Sequence, residues 1–202
     1  MGGRPKLSEV RAREERLLDI ATEAFLRDGL AATIEGIAAA ASVSKRTIYA
    51  RYPDKRALFS AAIARLISNR TRETFALDQS LPLKELLTRL ARLSFETSFR
   101  PEILKLNKLA RRDGEQFPEL VEVMLNETEI DLAGPLAQHL SQLKKHGEIR
   151  AVDTGAVARL FLYSVFGEVN RYHFRGAPKP GARVIDSWVE TLVDVYIHAL
   201  RP

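Results

Sequence analysis

The sequence predicts an all-α fold. Apolar residues recur at helical spacing along almost its whole length, no stretch carries the alternation of a strand, and capping residues and prolines punctuate the pattern at regular intervals. Leu17, Ile20, Ala21, Ala24 and Phe25 form the inner stripe of a first helix, which Gly29 is expected to end in a left-handed conformation. Thr33 reads as the N-cap of a short second helix, with Glu35 in its positive first turn and Ile34, Ile37, Ala38 and Ala41 on its buried face. Ser44 caps a third helix of about two turns over 45–52, with Ile48 inward. Pro53 stops it. Asp54 then caps a fourth helix, with Leu58, Phe59, Ala62, Ile63, Leu66 and Ile67 as its stripe, reaching residue 75.

Beyond the loop DQSLP the spacing predicts helices over 83–98, 101–112, 118–146, 154–175 and 183–200, with Pro82, Pro101 and Pro118 suited to first-turn positions. Pro135, following Gly134, clashes with the carbonyl four residues back and predicts a kink in the third of these. The connector GAPKPG over 176–181 is the Pro/Gly-rich link of this half.

At 202 residues and 46% hydrophobic content the chain can bury a substantial core as one large domain or two small ones. No apolar run reaches the roughly 20 residues of a membrane span, and the N-terminus lacks a secretory apolar segment, so a soluble, cytoplasmic protein is expected. The absence of cysteine removes disulfides, thiolate nucleophiles and cysteine-bound zinc. Charge is unevenly divided. Residues 1–75 hold fourteen Lys/Arg against nine Asp/Glu, and the remainder holds seventeen of each, so the net +5 lies wholly in the first 75. A basic patch confined to one end is the electrostatic footprint of nucleic-acid binding.

The stretch SVSKRTIYARYPDKRALF (42–59) concentrates this charge, with five basic residues and two tyrosines. Only the three-residue turn 42–44 separates helices two and three, which makes a helix-turn-helix. Lys45, Arg46, Thr47 and Tyr49 then occupy the first turns of a recognition helix, and Ile48 points the other way. Arginine and lysine hydrogen-bond guanine edges, threonine and tyrosine hydroxyls reach phosphate, and Lys55 adds charge at the start of helix four. Arg46 is expected to read a base edge and Lys55 to touch the backbone. The segment Gly3-Arg4-Pro5-Lys6 has the form of a basic arm that lays Arg4 into a narrow minor groove, or of a solvated tail.

Helices 154–175 and 183–200 are apolar on more than one side. Between 156 and 169 the only charged residues are Arg159 and Glu168. Such helices are buried by their own core and by something else, and a second copy is the economical partner. A charge at Val165 or Val189 is expected to break that pair if either lies on the shared face.

ATEAFLRDGLAATIEGIAAAASVSKRTIYARYPDKRALFSAAI resembles the DNA-binding domain of the tetracycline-repressor (TetR) family of bacterial transcription regulators. The likeness covers about residues 14–63 and rests on the start of helix two, TIEGIA, the turn SVS, then Thr47, Tyr49, the aromatic Tyr52 and Lys55. The stretch 109–140 is similar to the ligand-domain pattern of a proteobacterial subgroup. The resemblance implies an all-α homodimer on a pseudo-palindromic operator, usually a repressor, released when a small molecule enters its C-terminal domain. It makes Thr47, Tyr49 and Lys55 backbone anchors and turns Lys45 and Arg46 to the groove. Together with Arg4, Thr33, Ser44, Arg51 and Tyr52 these are the expected DNA-contacting residues. The family usually has glycine at the positions of Ser42 and Arg46, and Ser42 must then adopt a helix-ending conformation that glycine adopts more cheaply.

The expected division is residues 1–54 for the arm and DNA-binding domain and 55–202 for effector binding and dimerisation, joined by helix 55–75. Phe95, Phe99, Asn107, Phe117, Met124, Thr128, Tyr163 and Phe166 could line an effector cavity or form ordinary core. An apolar or amphipathic effector is the expected small partner, with no cofactor and no metal. The four histidines, His139, His146, His173 and His198, have no metal-binding spacing and read as surface or satisfied core residues. An inducer-independent architectural or division-linked DNA-binding factor is the alternative. A helical enzyme would rest on the i,i+4 pair Glu127 and Asp131 alone, which reads equally as a solvated face.

Overall fold

The computed structural model describes residues 7–74, 78, 80–116 and 118–202. Among these the regular structure is helical: α1 (Leu7–Asp28), α2 (Ile34–Ala41), α3 (Lys45–Tyr49), α4 (Lys55–Thr74), α5 (Leu83–Ser98), α6 (Pro101–Asp113), α7 (Pro118–Thr128), α8 (Gly134–Lys145), α9 (Thr154–Phe174) and α10 (Ala182–Leu200). The predicted boundaries hold closely because their causes are local. Gly29 ends α1 at φ +60°. Thr33, Ser44 and Asp54 each accept a hydrogen bond from the backbone N–H three residues on, at 3.1, 3.0 and 2.8 Å. Helix α3 is shorter than predicted. Its last regular residue is Tyr49, and the N–H groups of Arg51 and Tyr52 close a final turn on the Ile48 carbonyl.

Pro135 acts through a change of helical pitch. Residues Glu129–Ala133 form a π-helical turn between α7 and α8, in which the Gly134 N–H bonds the Glu129 carbonyl five residues back. The wider turn accommodates the proline ring, which supplies no N–H of its own, and the chain continues as α8.

Two compact units emerge, one comprising residues 1–68 with 105–125, the other 69–104 with 126–202. This grouping by packing cuts across a division drawn at residue 54, because the 105–125 stretch contributes Leu106, Leu109 and Leu120 to the core of α1–α4. In that core Phe25 and Phe59 meet edge to face with centroids 4.9 Å apart, and Ile48, Leu58, Ala62 and Ile63 are fully buried. Each such large side chain contributes roughly 1.5–3 kcal/mol by burial. Thr22, the buried polar group here, donates to the carbonyls of Leu18 and Ala62 at 2.8 and 3.2 Å.

The second unit packs α5 against α9 and α10, and α8 against α9. Phe95 stacks edge-on to Trp188 and Phe161 to Tyr196, with centroids 5.4 and 5.2 Å apart. The ion pairs Lys84–Asp194 (2.7 Å) and Arg92–Asp186 (3.0 Å) tie α5 to α10 at the surface. Val165 and Val189 are both fully buried in this core. The condition that either lies on a shared face is therefore not met: helical period places them inward, and the exposed apolar residues of the same helices are Leu160, Tyr163, Phe174, Val184 and Val195. No helix among the described residues is long and apolar enough to cross a membrane.

Candidate nucleic-acid interface

The turn between α2 and α3 is set by backbone hydrogen bonds. Ser42 lies in the left-handed region (φ 55°, ψ 41°), its N–H bonding Ala39 O at 3.2 Å, while the Val43 N–H bonds Ala38 O at 3.0 Å. This is the Schellman arrangement, completed by Val43 packing on the core. It turns the chain sharply enough for Ser44 to start α3 at once. Ser44 Oγ caps the Thr47 N–H and shares a 2.8 Å hydrogen bond with Thr47 Oγ1.

Only Ile48 of α3 is buried, and Lys45, Arg46, Thr47 and Tyr49 are exposed. One fully buried isoleucine thus anchors a helix whose other side chains face outward. Tyr49 is 49% exposed, a large ring presented to solvent. Arg46 is exposed and makes no side-chain hydrogen bond or ion pair with the described residues. Lys55 is half-buried at the start of α4, and Thr33 is exposed with its hydroxyl spent on the Gly36 N–H.

Three of the expected contact residues have intramolecular partners that the sequence did not reveal. Lys45 Nζ donates to Glu35 Oε1 at 2.8 Å, joining α3 to the first turn of α2. The hydrogen bond to Lys45 holds the Glu35 carboxyl below its ordinary range, and the same bond raises the Lys45 ammonium. Arg51 pairs with Glu14 of α1 at 2.6 Å, and the Tyr52 hydroxyl donates to the same carboxylate at 3.3 Å. Burial first, then the Glu14 charge, pushes the Tyr52 hydroxyl up, so at neutral pH it remains a donor. Glu14 therefore latches the end of the helix-turn-helix to α1. A carboxylate ten positions before Lys45, in the cap turn of the preceding helix, was the only available hint of the first pair.

The remaining site residues are dispersed. Phe95 is fully buried against Trp188, and Phe99 is half-buried between Tyr172 and His173, at 6.3 and 4.7 Å between centroids. Phe166 is half-buried on the same core, Thr128 is half-buried, and Tyr163 is 53% exposed. Asn107 and Met124 belong to the other unit. Arg4 and Phe117 lie outside the described residues. Of the histidines, His139 departs from expectation: it is buried, yet neither ring nitrogen has a hydrogen-bond partner among the described residues. No group of metal-ligating side chains occurs among the described residues.

A family model described as bacterial regulatory proteins, tetR family, matches residues 17–62, and one described as AefR-like transcriptional repressor, C-terminal domain, matches residues 85–201. Among solved structures, Flavonoid-responsive Regulator FrrA superposes with a TM-score of 0.80 at 25% identity, covering 95% of this chain and 98% of its own. A TetR-family regulator from Mesorhizobium loti gives 0.71 at 21% identity, covering 95% and 98%. GusR of Salmonella enterica gives 0.70 at 23%, covering 97% and 99%. No curated protein matches the sequence.

Proposed function

Because the chain belongs to the TetR family of bacterial regulatory proteins and is a DNA-binding transcriptional regulator rather than an enzyme, we propose that it is a repressor, working as a homodimer on a pseudo-palindromic operator and released by a small molecule. The observation that carries the DNA-binding half is α3, with Ile48 buried and Lys45, Arg46, Thr47 and Tyr49 exposed on a helix fixed at its start by Ser44. In this reading residues 1–54 bind DNA and 55–202 serve dimerisation and effector binding. Arg46 reads a base edge, Thr47, Tyr49 and Lys55 hold phosphate, and Lys45, Arg51 and Tyr52 exchange their carboxylate partners for DNA.

The dimer is supported by the outward apolar residues of α9 and α10. Leu160 and Val195 are 59% and 60% exposed, apolar side chains on the outward sides of α9 and α10 that a second copy would cover. Release requires the effector to bind the conformation that does not fit the operator more tightly than the one that does, so operator DNA must weaken effector binding by the same factor. The packing of Phe95 and Phe99 into their core favours the alternative of an inducer-independent regulator as far as those two residues are concerned.

The test begins with selection of a binding site from random duplex DNA. Arg46→Ala should then cost about 1–3 kcal/mol per half-site on the selected duplex and far less on a scrambled one. Lys55→Ala should weaken both alike and make the salt slope shallower by about 1–2 for a dimer. Equal loss on both duplexes for Arg46→Ala removes it as the reading residue. No enriched sequence at all would sink the operator proposal.

A further inference from the structure

The second unit contains an open cavity of about 560 Å³ away from the aromatic residues considered above. Its wall is formed by Leu81 and Leu83 at the start of α5, Leu143 of α8, Ile149 of the following loop, and Ile197 and Leu200 of α10. The Arg150 N–H donates to the Leu200 carbonyl at 3.0 Å, tying that loop to the end of α10. His139 of α8 also lines this cavity. It is only 4% exposed, and both Nδ1 and Nε2 are buried without a hydrogen-bond partner among the described residues.

An imidazole always carries at least one N–H, and in its neutral form one bare nitrogen as well. Burying both unsatisfied is costly, and folded proteins rarely do so unless water, an ion or a ligand completes the group. Leucine would fill the same space without that cost. The histidine has no hydrogen bond to surrender if its ring turns toward the cavity, and the cavity volume is in the range of small-molecule sites, with Ser80, Gln142, His146, Glu148 and Arg201 lining it beside the leucines and isoleucines.

We propose that this cavity binds a small molecule with a hydrocarbon body and a neutral hydroxyl head, the body against Leu83, Leu143 and Ile197 and the hydroxyl hydrogen-bonded to His139. A hydroxyl both donates and accepts, so it satisfies whichever nitrogen it meets. A carboxylate would have to lose its hydration beside a buried ring. At the cavity edge His146 and Glu148 already pair at 3.5 Å. The Glu148 carboxylate and the Arg201 guanidinium, both part of the lining, offset one another and leave that edge without a net bias toward an anion.

The site is independent of effector release, and the experiment keeps the two apart. The full chain, without DNA, is titrated with 1-hexanol and separately with hexanoate at pH 7.5, following the His139 ring resonances and the Leu143 and Leu200 amides by NMR. Saturable shifts are expected with 1-hexanol, and hexanoate should bind about tenfold more weakly, since losing one well-placed hydrogen bond to a desolvated charge has that scale. His139→Leu should raise the melting temperature while weakening 1-hexanol about tenfold or more, and His139→Gln, which keeps a donor and an acceptor, should retain most of the affinity. Absence of saturable shifts, equal 1-hexanol affinity in His139→Leu, or tighter binding of hexanoate would each overturn the proposal, and the wild-type titration decides even if a variant fails to fold.

Discussion

Arg112 lays its guanidinium over Gly29. A Cβ on that glycine would stand 1.9 Å from Arg112 Nη2 and 2.7 Å from Asp113 Oδ2, while Arg112 itself forks onto Asp113 through two 2.7 Å hydrogen bonds. The glycine is at φ +60°, so its missing side chain permits both the end of α1 and the close approach of the α6 terminus. Gly29→Ala should destabilise the chain by about 1–3 kcal/mol, combining left-handed strain with displacement of Arg112. In an Arg112→Ala background the cost should fall toward the backbone component of about 1–2 kcal/mol. Urea denaturation of the four proteins measures the coupling, and strict additivity would show that the approach carries no energy.

Ser42→Gly should stabilise. Serine at φ 55° bears a steric cost of about 1–2 kcal/mol that glycine avoids, partly offset by the greater unfolded-state entropy of glycine. The net gain should be about 0.5–1 kcal/mol, or roughly 1–4 °C in Tm for a chain of this size. A lower Tm would mean that the serine side chain contributes something the backbone geometry does not show.

With Lys45 at DNA as proposed, the Lys45–Glu35 pair should compete with the duplex. Glu35→Gln frees Lys45 and removes a negative charge beside the proposed phosphate path, so affinity for any duplex should rise, most at low salt. The sign with pH follows from the carboxyl, whose value is lowered by Lys45. The stabilisation from the pair is complete above the ordinary glutamate range, near 4.3, and is lost as pH falls through the lowered value. The Glu35 carboxyl resonance should therefore titrate at lower pH in the parent than in Lys45→Met. Identical midpoints would show that the two groups do not interact in solution.

For the dimer, Leu160→Glu and Val195→Lys should shift sedimentation from twice the 22.7 kDa chain mass toward one copy without loss of helicity. A charge at Val165 or Val189 should instead unfold the second unit, at a cost of several kcal/mol for an unpaired buried ion. A wild-type chain that sediments as a monomer at micromolar concentration removes the case for paired half-sites.

The sequence by itself determined what neighbouring residues control. The caps at Thr33, Ser44 and Asp54, the stop at Gly29 and the irregularity at Pro135 depend on groups within a few positions, so residue type and spacing located them, while the left-handed Ser42 was implied by the glycine usual at its position in the family it resembles. The outward set on α3 was legible for the same reason, since a helical period with one isoleucine leaves little choice of buried face. Only the tertiary structure decided which elements share a core and which side chains meet across the chain. Residues 105–125 packing with α1–α4, the full burial of Val165 and Val189, the pairing of Lys45 with Glu35 and of Arg51 with Glu14, and the orphaned ring of His139 all turn on approach between segments. A pattern of apolar residues says that a helix face is covered, but the identity of the covering surface is set by close packing among distant segments.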